Sequence, residues 1–236
     1  MATSVVLVRP QRASNLGSVA RVAKNFGLTT LAVVEPGVEP DEESRRLSTG
    51  ADDVLAAIVR HGSLAEAVAQ FPVVVATSSL RGRGRARPLE LADLPGYLAE
   101  TGRDAPAAFV FGPEQSGLTE DELTRASACL RLPTEPAFPT VNLSHAVAIV
   151  LATARAFASH PRPADPEPLA PAAEIEAAIA HWDRALEAID FYDTGHRDRS
   201  LRDWRRLIAA RPLTVREVAI LRGVANRVLV TLRRAP

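Results

Sequence analysis

One cysteine, Cys129, stands in 236 residues, which excludes an intramolecular disulfide and any metal site built from several thiolates. Its apolar neighbours predict a buried thiol, and a reducing cytoplasm is the expected setting. No apolar run reaches the roughly 18 residues that a spanning helix needs. Met1 leads into a strand-like stretch without the basic segment and apolar run of an export signal, so neither export nor membrane contact is expected. Net charge is missing as well. The 28 basic and 28 acidic residues balance, so contact with nucleic acid must come from local patches, and residues 174–236 are mildly basic. There is no GxGxxG after a strand, no P-loop, no HExxH and no CxxC. Dinucleotide oxidoreduction, nucleotide hydrolysis and zinc chemistry therefore lack support, and no metal site is expected.

What is present begins with a hydrophobic content of 47%, ample for one large domain with an appendage. Residues 4–35 read as an apolar run, a polar loop, an amphipathic helix and a second apolar run. Val5–Val8 predicts a strand. Val19, Val22, Ala23 and Phe26 predict a helix by their i, i+3, i+4, i+7 spacing, with Asn15 as N-cap and Gly27 just past its end. Asn15, Gly17 and Arg21 form a spaced set, and Arg21 points away from the apolar stripe. A cation above a helix N-terminus suits a phosphate; an ordinary capped helix with a solvated arginine is the alternative.

Residues 35–53 read as a polar, turn-rich excursion at the sheet edge, and Ser63–Gln70 as a short capped helix. Val73–Ala76 predicts a buried strand ending in Thr77, Ser78 and Ser79, at the strand end where ligands collect in open α/β sheets. Arg81, Arg83, Arg85 and Arg87 occupy alternate positions; in extended chain they share one side, as a phosphate clamp or as a solvated loop. A helix near Leu91–Glu100 and a strand over 107–112 precede a turn carrying Gly112 and Glu114. Leu118, Thr119, Glu122 and Leu123 then match a hydrophobic staple and capping box. After a strand over 129–133, Leu143–Phe157 predicts a buried helix capped by Asn142 or Ser144; His145 could serve as a catalytic base, but with no nucleophile to pair with it reads as a surface or capping residue. Five prolines in 159–171 predict a stiff linker. Beyond it, Trp182, Leu186 and Ile189 mark one helix, and Leu201, Trp204, Leu207 and Ile208 a second. Leu213, Thr214, Glu217 and Val218 open a third that runs to about Arg233. Arg202, Arg205 and Arg206 offer either an RNA contact or a solvated face.

Three stretches, NLGSVARVAKNFG, FGPEQSGLTEDEL and LRLPTEPAFPTVNLSHAVAIVL, resemble in order and spacing the motifs of SpoU-type RNA ribose 2′-O-methyltransferases of the SPOUT class. The resemblance covers residues 5–158. The tail, with FYD and LTVREVAILRG, is similar to the C-terminal extension of the bacterial TrmJ group, which methylates the ribose at tRNA position 32. The resemblance implies an α/β SPOUT fold, a mostly parallel sheet whose C-terminal part forms a deep trefoil knot, in a homodimer. It divides the chain into a methyltransferase domain (1–158), a proline-rich linker (159–173) and a helical extension (174–236). It implies S-adenosylmethionine as cofactor, released as S-adenosylhomocysteine, and RNA, foremost tRNA, as partner.

Carried over residue by residue, the first motif assigns RNA or catalytic roles to Asn15 and Arg21. The second places Gly112 and Glu114 beside cofactor and acceptor nucleotide. The third makes Leu132, Thr140, Val141, Asn142 and Leu143 the cofactor pocket, with Thr77 and Ser78 on the neighbouring loop; Glu114 and Asn142 also count as catalytic. RNA contact falls to Arg9, Arg12, Arg81, Arg83, Arg85 and Arg87. Thr140-Val141-Asn142 replaces the family's Ser-Leu-Asn, which keeps the hydroxyl but adds a stiff methyl. Arg21 is the family's suggested activator, yet a guanidinium with a pKa above about 12 does not accept a proton. Its expected role is to hold the acceptor's phosphate and 2′-hydroxyl and to stabilise developing oxyanion charge. The same chemistry on ribosomal RNA, and an RNA-binding protein that has lost catalysis, are the competing readings.

Overall fold

The computed structural model describes residues 3–78, 86–101, 105–157, 167–192, 196–208 and 211–234. Seven short runs form its strands: β1 (Thr3–Val8), β2 (Ala32–Val34), β3 (Val59–His61), β4 (Val73–Thr77), β5 (Arg87–Glu90), β6 (Ala107–Phe111) and β7 (Ala128–Arg131). They lie in the order β3-β2-β1-β6-β4-β7-β5, and every pairing between these strands is parallel. Parallel strands covered on both faces read as unbroken apolar runs. Accordingly Val5–Val8 and Ala107–Phe111 are at most 1% exposed. The late strands fill slots among earlier ones: β6 enters between β1 and β4, and β7 between β4 and β5. The C-terminal ends of β4, β6 and β7 thereby stand side by side.

Ten α-helices are described: α1 (Ala13–Asn25), α2 (Glu42–Ser48), α3 (Asp52–Ala56), α4 (Leu64–Val68), α5 (Leu94–Glu100), α6 (Glu120–Leu123), α7 (Leu143–Phe157), α8 (Ala172–Glu187), α9 (Arg197–Ile208) and α10 (Val215–Arg234). Because side chains alternate along a strand, Val5 and Leu7 pack with α1, α5 and α7, while Val6 and Val8 pack with α4 and α6 on the opposite face. Gly27 follows α1 at φ +81°, as the sequence predicts. No described helix is long and apolar enough to cross a membrane.

Several expectations are corrected. Asn15 is not the N-cap of α1: the helix starts at Ala13 after Arg12, which makes no side-chain cap, and Asn15 is 5% exposed inside the first turn. Its amide is engaged by a distant carboxylate, which outweighs local capping. Residues 35–53 are not a mere excursion, since they contain α2 and the start of α3. Asp41 and Ser44 form a reciprocal capping box at the start of α2, and α2 packs onto α1 where Gly17 leaves room. Helices this short carry too few periodic positions to be read; tertiary packing stabilises them. The edge strands β3 and β5, three and four residues long, escaped for the same reason. Cys129 is only partly buried, and burial still pushes its thiol up despite a hydrogen bond with Ser78.

The tail has its own core, with Ala178, Ile179, Ile208, Leu213 and Val218 buried together and Trp182 stacked on Trp204 at 5.4 Å. Ile189 and Leu207 do not join it. They are 47% and 69% exposed, because α8 stops at Glu187 and Leu207 faces outward. The expected linker is also shorter at its C-terminal end. Ala170 donates to Leu213 O at 2.8 Å and Val215 to Pro168 O at 2.9 Å, so 168–171 belong to the tail. Ala172 and Ala173 donate to Phe71 O and Ala69 O. Arg205 reaches Glu176 at 2.8 Å, which holds its guanidinium above the ordinary pKa and withdraws it from the surface role expected of it.

Thr214 and Glu217 form the capping box of α10: Glu217 N donates to Thr214 Oγ1 at 3.2 Å and Thr214 N to Glu217 Oε2 at 2.8 Å. The hydrogen bond from Arg211 and that from Thr214 N lower the Glu217 carboxyl from 4.5 to about 2. A carboxyl depressed in the folded chain stabilises above its unfolded value, and that contribution is lost as pH falls toward 2. Thr214→Ala is expected to cost about 1 kcal/mol, read as a lower melting temperature with unchanged catalysis.

Candidate functional site

The site is built where the three motifs meet. β6 ends at Phe111, and the turn after it carries Gly112 and Glu114. A Cβ on Gly112 would lie 2.5 Å from Leu118 N, so only glycine lets the turn fold back tightly over the strand end. β1 ends in the loop that enters α1, bringing Asn15 to the same place. The loop after β7 delivers Asn142 as the cap of α7: Asn142 Oδ1 accepts from Ser144 N at 2.9 Å and from Ser144 Oγ at 2.8 Å.

These side chains form one hydrogen-bonded chain. Asn15 Nδ2 donates to Glu114 Oε1 at 2.6 Å, and Gln11 N donates to Glu114 Oε2 at 3.1 Å. Asn142 Nδ2 donates to Asn15 Oδ1 at 3.2 Å. Residues 99 and 127 apart in sequence are thus tied together, and the amide of a buried asparagine is satisfied at both ends.

Two hollows adjoin this chain. A cavity of about 550 Å³ lies at the ends of β4, β6 and β7, walled by Leu118, Leu130, Leu132, Val141 and Leu143 with Thr77, Ser78 and Thr140 on its edge. Apolar walls with a few hydroxyls and turn amides, at this size, fit an adenosyl group. Thr77 Oγ1 is itself committed to Val110 O at 3.2 Å. The second hollow is wide and open, lined by Arg12, Asn15, Glu135, Phe138, Asn142 and His145. The two share Glu114, Gln115, Thr140 and Val141, so a donor in one and an acceptor in the other would meet at Glu114.

Arg21 is exposed and lines neither hollow. It sits about 9 Å along α1 from Asn15 and about 120° around it. Arg9 is tied down: it pairs with both carboxylate oxygens of Glu122 and with Glu35 at 3.4 Å. Its pKa is raised by those bonds, while Glu122 is lowered, burial notwithstanding. Arg87 reaches Glu100 at 3.2 Å and lies 5.3 Å over the buried Tyr97 ring. Arg81, Arg83 and Arg85 lie outside the described residues. Of the arginines expected to touch RNA, Arg12 alone among the described ones borders a hollow. Sequence reasoning missed Gln115 and Phe138; for Phe138 a signal existed, an aromatic set between two prolines in EPAFP. Among the described residues no cluster suited to a metal ion occurs.

Comparison with known proteins identifies the family. Residues 2–152 match the SpoU rRNA Methylase family, and residues 173–236 match the C-terminal domain of tRNA methyltransferase TrmJ. A tRNA (cytidine/uridine-2′-O-)-methyltransferase TrmJ from Yersinia enterocolitica is 34% identical over 95% of this chain and 90% of its own. The crystal structure of TrmJ from Z. mobilis superposes with a TM-score of 0.83 at 30% identity, covering 97% of this chain and all of that one. An AdoMet-bound rRNA methyltransferase from Sinorhizobium meliloti superposes with a TM-score of 0.53 at 27% identity, covering 66% of this chain and 56% of that one.

Proposed function

Because the chain belongs to the SpoU rRNA Methylase family, we propose that it methylates a ribose 2′-hydroxyl of tRNA, with S-adenosylmethionine as donor. The seam at Glu114, where an adenosyl-sized cavity opens into a wide polar hollow, is the observation that supports this most. The tail, matching the TrmJ C-terminal domain, favours tRNA over ribosomal RNA, and position 32 is the target the resemblance implies. The trefoil knot and the homodimer belong to the same proposal; the entry of β7 between β4 and β5 is consistent with threading.

The cofactor, when bound, supplies an electrophilic methyl carbon. The chain's own residues do the rest by placement. Leu132, Val141 and Leu143 would hold the adenosyl end, and Thr140 would offer it a hydroxyl. Asn15 keeps the Glu114 carboxylate at the seam, and Asn142 keeps Asn15 in place from the far side. Arg12 draws the RNA backbone into the open hollow. Arg21, remote from the site of its own chain, acts on the site of a second copy in the dimer, where it holds phosphate and 2′-oxygen and stabilises the developing charge; the proton leaves to phosphate or water.

Incubating the protein with tRNA and labelled S-adenosylmethionine, then analysing the digest by mass spectrometry, is expected to give a 2′-O-methylated nucleoside. Label on a base, or none in tRNA, overturns the reading. RNA affinity is also expected to fall steeply with salt, and Arg12→Ala to flatten the plot of log K against log salt by about one unit. An unchanged slope would remove Arg12 from the interface.

A further inference from the structure

Phe138 is 74% exposed, more than any other large apolar side chain among the described residues. The loop holds it there. Phe138 N donates to Glu135 O at 2.9 Å, closing a four-residue turn with Pro136 at its second position, and Thr134 Oγ1 donates to Pro139 O at 3.3 Å. Pro136 presets the turn, and Pro139 keeps Phe138 out of the helical region. The ring therefore stands in water on a stiff support. It borders the open hollow together with Arg12, Asn15, Glu114, Asn142 and His145. Phe191, the other well-exposed phenylalanine among the described residues, instead packs edge-on against Tyr192 at 5.8 Å.

We propose that Phe138 is the stacking platform for the base of the acceptor nucleotide, an inference that rests on the methyl transfer to RNA proposed above. A ribose 2′-oxygen can reach the seam only if its nucleotide leaves the helical stack, and an unstacked base is held by an aromatic face. The seam receives the sugar, Arg12 the phosphate, and the Phe138 ring, bordering the same hollow, the base. A ring face recognises any base, so this contact supplies affinity and orientation rather than choice among bases.

The test uses the full-length protein and tRNA transcripts carrying either the normal nucleotide or an abasic ribose at the mapped acceptor position. Phe138→Ala is expected to raise the KM for tRNA about tenfold, with S-adenosylhomocysteine affinity and sedimentation unchanged. Phe138→Tyr is expected to restore the KM, and Phe138→Leu to leave most of the loss. The abasic transcript should cost the native enzyme about tenfold and Phe138→Ala almost nothing more, because the two changes remove the same contact. Equal abasic penalties in both enzymes, a native KM in Phe138→Ala, or a loss explained by dissociation into monomers each overturn the platform. If the native protein fails to methylate tRNA at all, the functional reading fails and takes the platform with it. Methylation by the native protein with Phe138→Ala unaffected sinks the platform alone.

Discussion

Replacing Arg21 by alanine is expected to lower kcat by about 100-fold or more, the usual cost of removing a group that stabilises developing oxyanion charge, while S-adenosylhomocysteine binds as before. The cofactor cavity has no Arg21 in its lining, so nothing in its walls changes. Arg21→Lys keeps the charge but loses the planar fork that grips phosphate and hydroxyl together, and is expected to recover only part of the rate. The assignment of Arg21 to a second copy has its own signature. Subunits carrying Arg21→Ala lack the guanidinium, and subunits carrying Asn142→Ala lack the side chain that steadies Asn15. Each variant alone is nearly inactive. Mixed at random, they should recover about a quarter of native activity, since half the dimers are mixed and each has one intact site. Were Arg21 to serve its own chain, mixing would recover nothing. Near-native turnover by Arg21→Ala would remove the residue from the mechanism altogether.

Gly17→Ala is expected to cause a large loss of stability. A Cβ there would lie 2.0 Å from Ser44 O and 2.7 Å from Ser44 C. These are backbone atoms of α2, capped by Asp41 and packed on α1, so no side chain can swing aside. Relief requires α2 to move as a unit, and overpacking of this kind costs about 3 kcal/mol, or roughly 6–12 °C in melting temperature for a chain of this size. Gly223 provides the contrast. A Cβ there meets nothing within 4 Å, and Gly223→Ala is expected to stabilise slightly by restricting the unfolded chain. Calorimetry on the two variants distinguishes close packing from a general intolerance of glycine loss. A Gly17→Ala protein that melts with the native one would show that α2 is not seated on α1.

Much of the candidate site could be read before the fold was known. The order of the motifs carried Asn15, Glu114 and Asn142, and these three are joined by hydrogen bonds in the structure. The reason offered for Asn15 was nonetheless wrong. A helix cap acts on amides two or three residues away, whereas Asn15 spends its amide on a carboxylate 99 residues distant. Arg9 and Arg87 were read as free cations for the same reason. Their partners, Glu122 and Glu100, lie 113 and 13 residues away, where no local pattern points to them. Arg12 looked no different from Arg9 in sequence, yet one borders the open hollow and the other is ion-paired.

The amino-acid order by itself determined the β1-α1 unit, the capping boxes at Thr119 and Thr214, the buried strands and the three motifs. Each depends on periodicity or on hydrogen bonds that span only a few residues, and such signals survive without knowledge of the rest of the chain. Tertiary structure alone decided that β7 enters between β4 and β5, that α2 rests on Gly17, that Glu114 is held by Asn15, and that the loop carrying Phe138 lies beside them. Those outcomes are set by which distant segments the sheet order brings within 3 Å, because a buried polar group takes the partner that the topology supplies.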